Sequence, residues 1–199
     1  MRYISYHNRM TGIYNRACFD EATMSERSDE TEEHAERLAK LSKKLGEEME
    51  LSEDELDELE PVAMLRDIGK ISIGKDILAK AGKLSDADWQ EIRKYPEAGY
   101  RIANSTSGLS HIAGYILCHH EHWDGSGYPL GLSGADIPLL SRIITVADAY
   151  DAMTQDRAYR KALPAGVAVK EILSRKKAQF DPSIADIFVG RVLPELEES

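Results

Sequence analysis

Apolar positions along the chain recur at three- and four-residue intervals, and no stretch alternates as a half-buried strand would. Ala35, Leu38, Leu41, Leu45 and Met49 share one face of a helix that Ser28 or Asp29 would cap. Ser52-Glu53-Asp54-Glu55 reads as a capping box, with serine and glutamate each satisfying the other's backbone N–H. It opens a second helix carrying Leu56, Leu59, Val62, Ala63 and Leu65, which Pro61 is expected to kink or split. Ser85-Asp86-Ala87-Asp88 starts a helix to about Lys94, and Pro96 suits the first turn of another over about 97–105. Gly108-Leu109-Ser110 leads into an apolar helix ending at His119-His120, followed by a Gly-rich loop from Glu121 to about Pro138. Leu139, Leu140, Ile143, Ile144, Val146, Ala147 and Met153 form the most apolar helix, expected at the centre. Pro164 opens a helix to about Ala178, and Asp181-Pro182 starts the last, ending near Pro194. The pattern predicts an all-α domain of roughly seven helices over 29–199, preceded by a weakly helical appendage over 1–28.

Composition narrows the class. Hydrophobic residues make up 42% and charged residues 30%, as in an ordinary globular domain. A formal charge of −10 argues against binding polymeric nucleic acid, which requires clustered Lys and Arg. Cys18 and Cys118 give neither a disulfide framework nor a zinc spacing. No run is long and apolar enough to span a membrane and no signal peptide is evident, so a cytoplasmic location is expected.

The candidate chemistry concentrates in Cys118-His119-His120-Glu121-His122-Trp123-Asp124-Gly125-Ser126-Gly127-Tyr128-Pro129. Imidazoles suit zinc, iron or manganese. Adjacent helical residues point about 100° apart, so His119 and His120 can serve one ion only at a frayed helix end, or else two neighbouring centres. Asp67 follows an apolar segment, and its burial would require a cation: a metal, Arg66 or Lys70. Asp148 and Asp151 interrupt the central helix, where a carboxylate is more often paired or functional than idle. Asp156, Arg157, Tyr159, Arg160 and Lys161 form a cationic turn.

Taken together, His34, Asp67-Ile68-Gly69-Lys70, His119-His120-Glu121, Gly127-Tyr128-Pro129, Asp148 and the turn from Arg157 to Lys161 resemble the HD-GYP family of the HD superfamily of metal-dependent phosphohydrolases. The likeness covers about residues 29–193. Asn8-Arg9-Met10-Thr11-Gly12-Ile13-Tyr14-Asn15-Arg16 resembles the entry of a GGDEF domain, although the rest of such a domain is absent and no Gly-Gly-Asp-Glu-Phe motif occurs. The HD-GYP resemblance implies a helical bundle, two or three iron or manganese ions and hydrolysis of cyclic di-GMP. It implies His34, Asp67, His119, His120 and Asp148 as metal ligands, with Asp67 bridging. Glu30 stands where some members add a third-metal ligand. Lys70 is implied at the scissile phosphate or the metal-bound water, making Asp67 and Lys70 the catalytic candidates. Arg157 and Arg160 are implied as phosphate-binding residues, and Tyr128 as a contact for the ligand or a protein partner. A homodimer is a further expectation.

Two positions depart from that pattern. Arg66-Asp67 stands where the family has His-Asp, and Tyr95 stands where a ligand histidine precedes Pro-Glu. Arginine has no lone pair to give a metal, and its charge opposes one nearby. Tyrosine binds manganese or ferrous iron only at the cost of ionising a group with pKa about 10. The expectation is therefore that Arg66 partly replaces a metal by pairing with Asp67 and Asp148. The domain then acts as a cyclic di-GMP-binding or protein-interaction module with impaired hydrolysis. The alternative is one retained ion and slow hydrolysis.

Overall fold

A computed structural model describes residues 32–78, 80, 84–156 and 161–197. The N-terminal appendage, Glu30, Arg157 and Arg160 lie outside these residues. Helix α1 (Glu32–Glu48) packs along α2 (Glu53–Leu65), which opens with the expected box: Ser52 N–H donates to Glu55 at 2.9 Å while Glu55 N–H donates to Ser52 Oγ. Pro61 does not split α2, which runs unbroken from Glu53 to Leu65. Its ring is buried in the core, and the carbonyl left without a partner four residues back belongs to the exposed Asp57. A 3₁₀ turn (Ile68–Ser72) and a short helix α3 (Lys75–Leu78), which the apolar pattern did not suggest, lead to α4 (Asp86–Ile92) and α5 (Tyr95–Ser105). The 3₁₀ turn packs against α5, and α5 against α6 (Ala113–Cys118).

Helix α7 (Leu139–Thr154) is central, as its composition predicts. It buries Leu140, Ile143, Ile144, Val146 and Ala147 and touches α1, α2, α6 and α8 (Ala165–Ser174). Pro138 stands at the N-cap of this helix, where the loop ends. The chain closes with α9 (Pro182–Ile187), a π turn (Phe188–Val192) and α10 (Leu193–Glu197). Asp181 caps α9, accepting from Ser183 N–H at 2.9 Å. Leu38 and Leu45 from α1, Leu59 and Val62 from α2, Ile116 from α6 and Phe188 meet α7 in one core. Among the described residues there is no strand beyond an isolated bridge between Lys176 and Phe180. None of their helices is long and apolar enough to cross a membrane.

Candidate active site

The end of α2 delivers the first group of site residues. Arg66 continues the helix by one bond, its N–H donating to Val62 O at 2.9 Å, and the backbone then turns at Asp67 into the 3₁₀ turn. Gly69 allows that turn to lie against α5: a Cβ there would stand 1.9 Å from Tyr95 O and 2.5 Å from Gly99 N. Glycine at 69 thus brings Asp67 and Lys70 beside Tyr95.

Arg66 is only 2% exposed, and its whole fork is engaged. Nε is 3.0 Å from Asp67 Oδ2, Nη2 is 3.2 Å from Asp148 Oδ1, and Nη1 donates to Ala63 O at 2.7 Å. Nη2 also lies 2.6 Å from His34 Nε2. His34, from α1, places Nδ1 2.5 Å from Asp151 Oδ2 and Nε2 3.2 Å from Asp148 Oδ1. An Nδ1–H donating to Asp151 leaves the Nε2 lone pair for Arg66, so the neutral ring satisfies those two contacts and stands beside Asp148 without donating to it. Burial opposes the imidazolium of His34 and Arg66 repels it; the bonds to Asp148 and Asp151 nonetheless raise its pKa. Burial alone would raise Asp148, but Arg66 and then His34 hold it well below the usual carboxylate range. Arg37, one turn after His34, closes the group with Nε 2.9 Å from Asp151 Oδ1.

The second group comes from the end of α6. His119 is the C-cap and His120 the next residue, so the helix has ended where the two rings converge. The frayed-end alternative is the geometry found: the ring centroids are 4.1 Å apart. His119 Nδ1 lies 2.6 Å from Ile116 O and donates to it, which leaves Nε2 as an acceptor. Tyr95 OH sits 3.0 Å from His119 Nε2 and closer still to His120 Nε2. One hydroxyl proton serves both contacts when Tyr95 donates to His119 and accepts from His120 Nε2–H. Burial pulls the pKa of both imidazoles down, His120 well below its ordinary value, so both are neutral near pH 7. Lys70 Nζ is 3.2 Å from Asp67 Oδ1 and 5.5 Å from the Tyr95 ring centroid.

The loop after His120 closes the mouth. Gly127 passes so near the chain that a Cβ would meet His122 N at 2.3 Å and His120 O at 2.5 Å. Tyr128 N–H donates to His120 O at 3.1 Å, and its ring stacks on His120 at 4.8 Å and 24°. Burial pushes the Tyr128 phenol up. Glu121, buried, accepts from Leu130 N–H at 2.7 Å and Leu132 N–H at 3.0 Å and so fixes the segment that carries Tyr128.

The structure thus gathers Arg66, Asp67, Lys70, Tyr95, His119, His120 and Tyr128 around one centre, with His34 and Asp148 reaching it through Arg66. Sequence reasoning overlooked Arg37, which its spacing from His34 on the same face could have revealed. It also overlooked Glu121 as the anchor of the loop, for which only its place beside the Gly-rich segment gave a signal.

The donor sets can be tested against the metals that the resemblance implies. Asp67, His119 and His120 each offer a ligand atom, all within 4.8 Å of one another, so this triad is a possible single-ion site if the Tyr95 hydroxyl yields its place. Across His34, Asp67 and Asp148 the Arg66 guanidinium already fills the space between the carboxylates. A two-ion centre does not fit these residues.

The HD domain family matches residues 21–184. Over 165 residues the chain is 39% identical to a cyclic di-GMP phosphodiesterase of Thermotoga maritima, covering 82% of this chain and 45% of that protein. It is 36% identical to a 3'3'-cGAMP-specific phosphodiesterase of Vibrio cholerae, covering 89% of this chain and 34% of that one. The chain therefore spans less than half the length of these curated relatives. Its fold is shared with a crystal structure of a Vibrio cholerae cyclic GMP-AMP specific phosphodiesterase, at a TM-score of 0.66 and 23% identity, covering 84% of this chain and 45% of the other. The chain belongs to the HD domain family, as a divergent member of HD-GYP type carrying Arg66-Asp67 where the family has His-Asp.

Proposed function

We propose that this domain recognises a cyclic dinucleotide of the cyclic di-GMP class as a bacterial signalling module, and that its phosphodiester hydrolysis is impaired. The observation that carries the reading is the seat of Arg66, which compensates Asp67 and Asp148 with a covalently attached cation. A buried carboxylate pair needs such compensation, and a guanidinium supplies it without generating a hydroxide nucleophile. Tyr95 does the same for the imidazoles, occupying both Nε2 atoms with one hydroxyl. The relatives named as phosphodiesterases of cyclic di-GMP and 3'3'-cGAMP supply the ligand class. In the full reading Tyr128 contacts the ligand or a protein partner, and Arg157 and Arg160 bind its phosphates. Calorimetric titration with cyclic di-GMP in EDTA tests this. Saturable binding without accumulation of linear product is expected.

The second reading is a slow phosphodiesterase with one iron or manganese ion, for which the Asp67, His119 and His120 triad speaks. There, binding and linear product would both depend on added metal.

A further inference from the structure

The centre has already committed its charges. Asp67 faces Arg66 and Lys70, Asp148 faces Arg66, and Asp151 faces Arg37. Three carboxylates are thus matched by three cations, and a phosphodiester arriving beside them finds no uncommitted positive charge within the set. An anionic ligand needs a cation from outside it.

Arg93 meets that need. It caps the C-terminus of α4, two residues before Tyr95, and is exposed. Its guanidinium carbon lies 5.7 Å from the Tyr128 ring centroid, within cation–π range. Tyr128 stacks on His120, and His120 meets Tyr95 edge-on at 5.6 Å and 85°. Arg93 is therefore the outer end of a stack whose inner end is the centre itself. The neighbouring Lys94 is paired with Glu91 at 2.6 Å, whereas Arg93 makes no ion pair with any described residue. A cation–π contact at that distance leaves the guanidinium N–H groups available to a ligand, and their fork matches two phosphate oxygens at once.

We propose that Arg93, held in cation–π range of Tyr128, is a phosphate-binding residue of this site, replacing at its mouth the charge that a metal would otherwise offer the ligand. The assignment rests on the cyclic-dinucleotide reading above.

The test is titration of cyclic di-GMP into wild type, Arg93→Gln and Arg93→Lys in EDTA at low and at moderate salt, with thermal melting of each. Melting temperatures should agree, because Arg93 bears no structural ion pair. Arg93→Gln should bind at least about ten-fold more weakly than wild type, and Arg93→Lys should fall between the two, because it keeps the charge and loses the two-pronged fork. Added salt should narrow the gap between wild type and Arg93→Gln, as screening predicts for an exposed charge. Binding by Arg93→Gln within two-fold of wild type would overturn the assignment of Arg93 alone. Weaker binding by Arg93→Lys than by Arg93→Gln would overturn it too, since the positive charge would then contribute nothing. Failure of wild type to bind would overturn the cyclic-dinucleotide reading itself, and this assignment with it.

Discussion

Arg66 Nε stands 3.0 Å from Asp67 Oδ2, and both side chains are almost wholly withdrawn from water. The same guanidinium reaches Asp148, so one residue compensates two carboxylates, Asp67 nearly enclosed and Asp148 partly exposed. Arg66→Ala would leave Asp67 facing Lys70, and Asp148 facing His34, without the guanidinium. Removing one member of a buried ion pair costs roughly 3–5 kcal/mol. Urea denaturation should show a loss of that order, and a loss below about 1 kcal/mol would mean that the pairing carries little stability.

Tyr95→Phe tests the second substitution. It keeps the ring and removes the hydroxyl that faces His119 and His120. Two buried imidazole nitrogens then lose a partner, at a cost of about 1–3 kcal/mol. The fold should survive with a lower melting temperature. An unchanged melting temperature would show that the hydroxyl is not what satisfies the histidines.

Most of the fold was legible because amphipathic periodicity and caps are local: the box at Ser52 and the cap at Asp181 appear where the residues place them. Pro61 was misjudged because the outcome depends on what its ring packs against, which is a tertiary fact. The residues of the site were legible, but their arrangement was not. Nothing local indicates that Arg66 folds back among four acceptors rather than pointing to solvent, or that Tyr95 places its hydroxyl between two imidazoles. Those facts depend on Gly69, whose missing side chain lets the 3₁₀ turn press against the distant α5, and on Gly127, which lets the loop fold back tightly onto its own start.

The pH dependence of stability follows from His120. Its pKa lies well below the ordinary 6.5 in the folded chain, chiefly through burial. Below about pH 6.5 the unfolded chain therefore binds a proton that the folded chain refuses, so stability falls as pH falls through that range. His34 runs the other way: its raised pKa gives stability below 6.5 that fades as pH rises past its folded value. Comparing wild type with His120→Gln between pH 7 and 5 cancels the His34 contribution. Wild type should lose more stability than the variant on acidification, and parallel curves would contradict the burial of a neutral His120.

Glu121 gives a prediction for the loop. Its carboxylate holds the N–H groups of Leu130 and Leu132. Glu121→Ala should speed hydrogen exchange at both amides by at least about ten-fold, since each loses a charge-assisted bond. Exchange in α7 should stay unchanged. If the two loop amides exchanged at the wild-type rate, Glu121 would not be the anchor of the segment bearing Tyr128.

The most direct measurement is metal content together with turnover of cyclic di-GMP, on protein purified without chelators, for wild type and for Arg66→His/Tyr95→His. With Arg66 and Tyr95 filling the positions of ligands, wild type should carry well under one iron or manganese per chain and yield no linear product, while the double variant gains metal. Two tightly held ions per wild-type chain, with hydrolysis, would contradict the account.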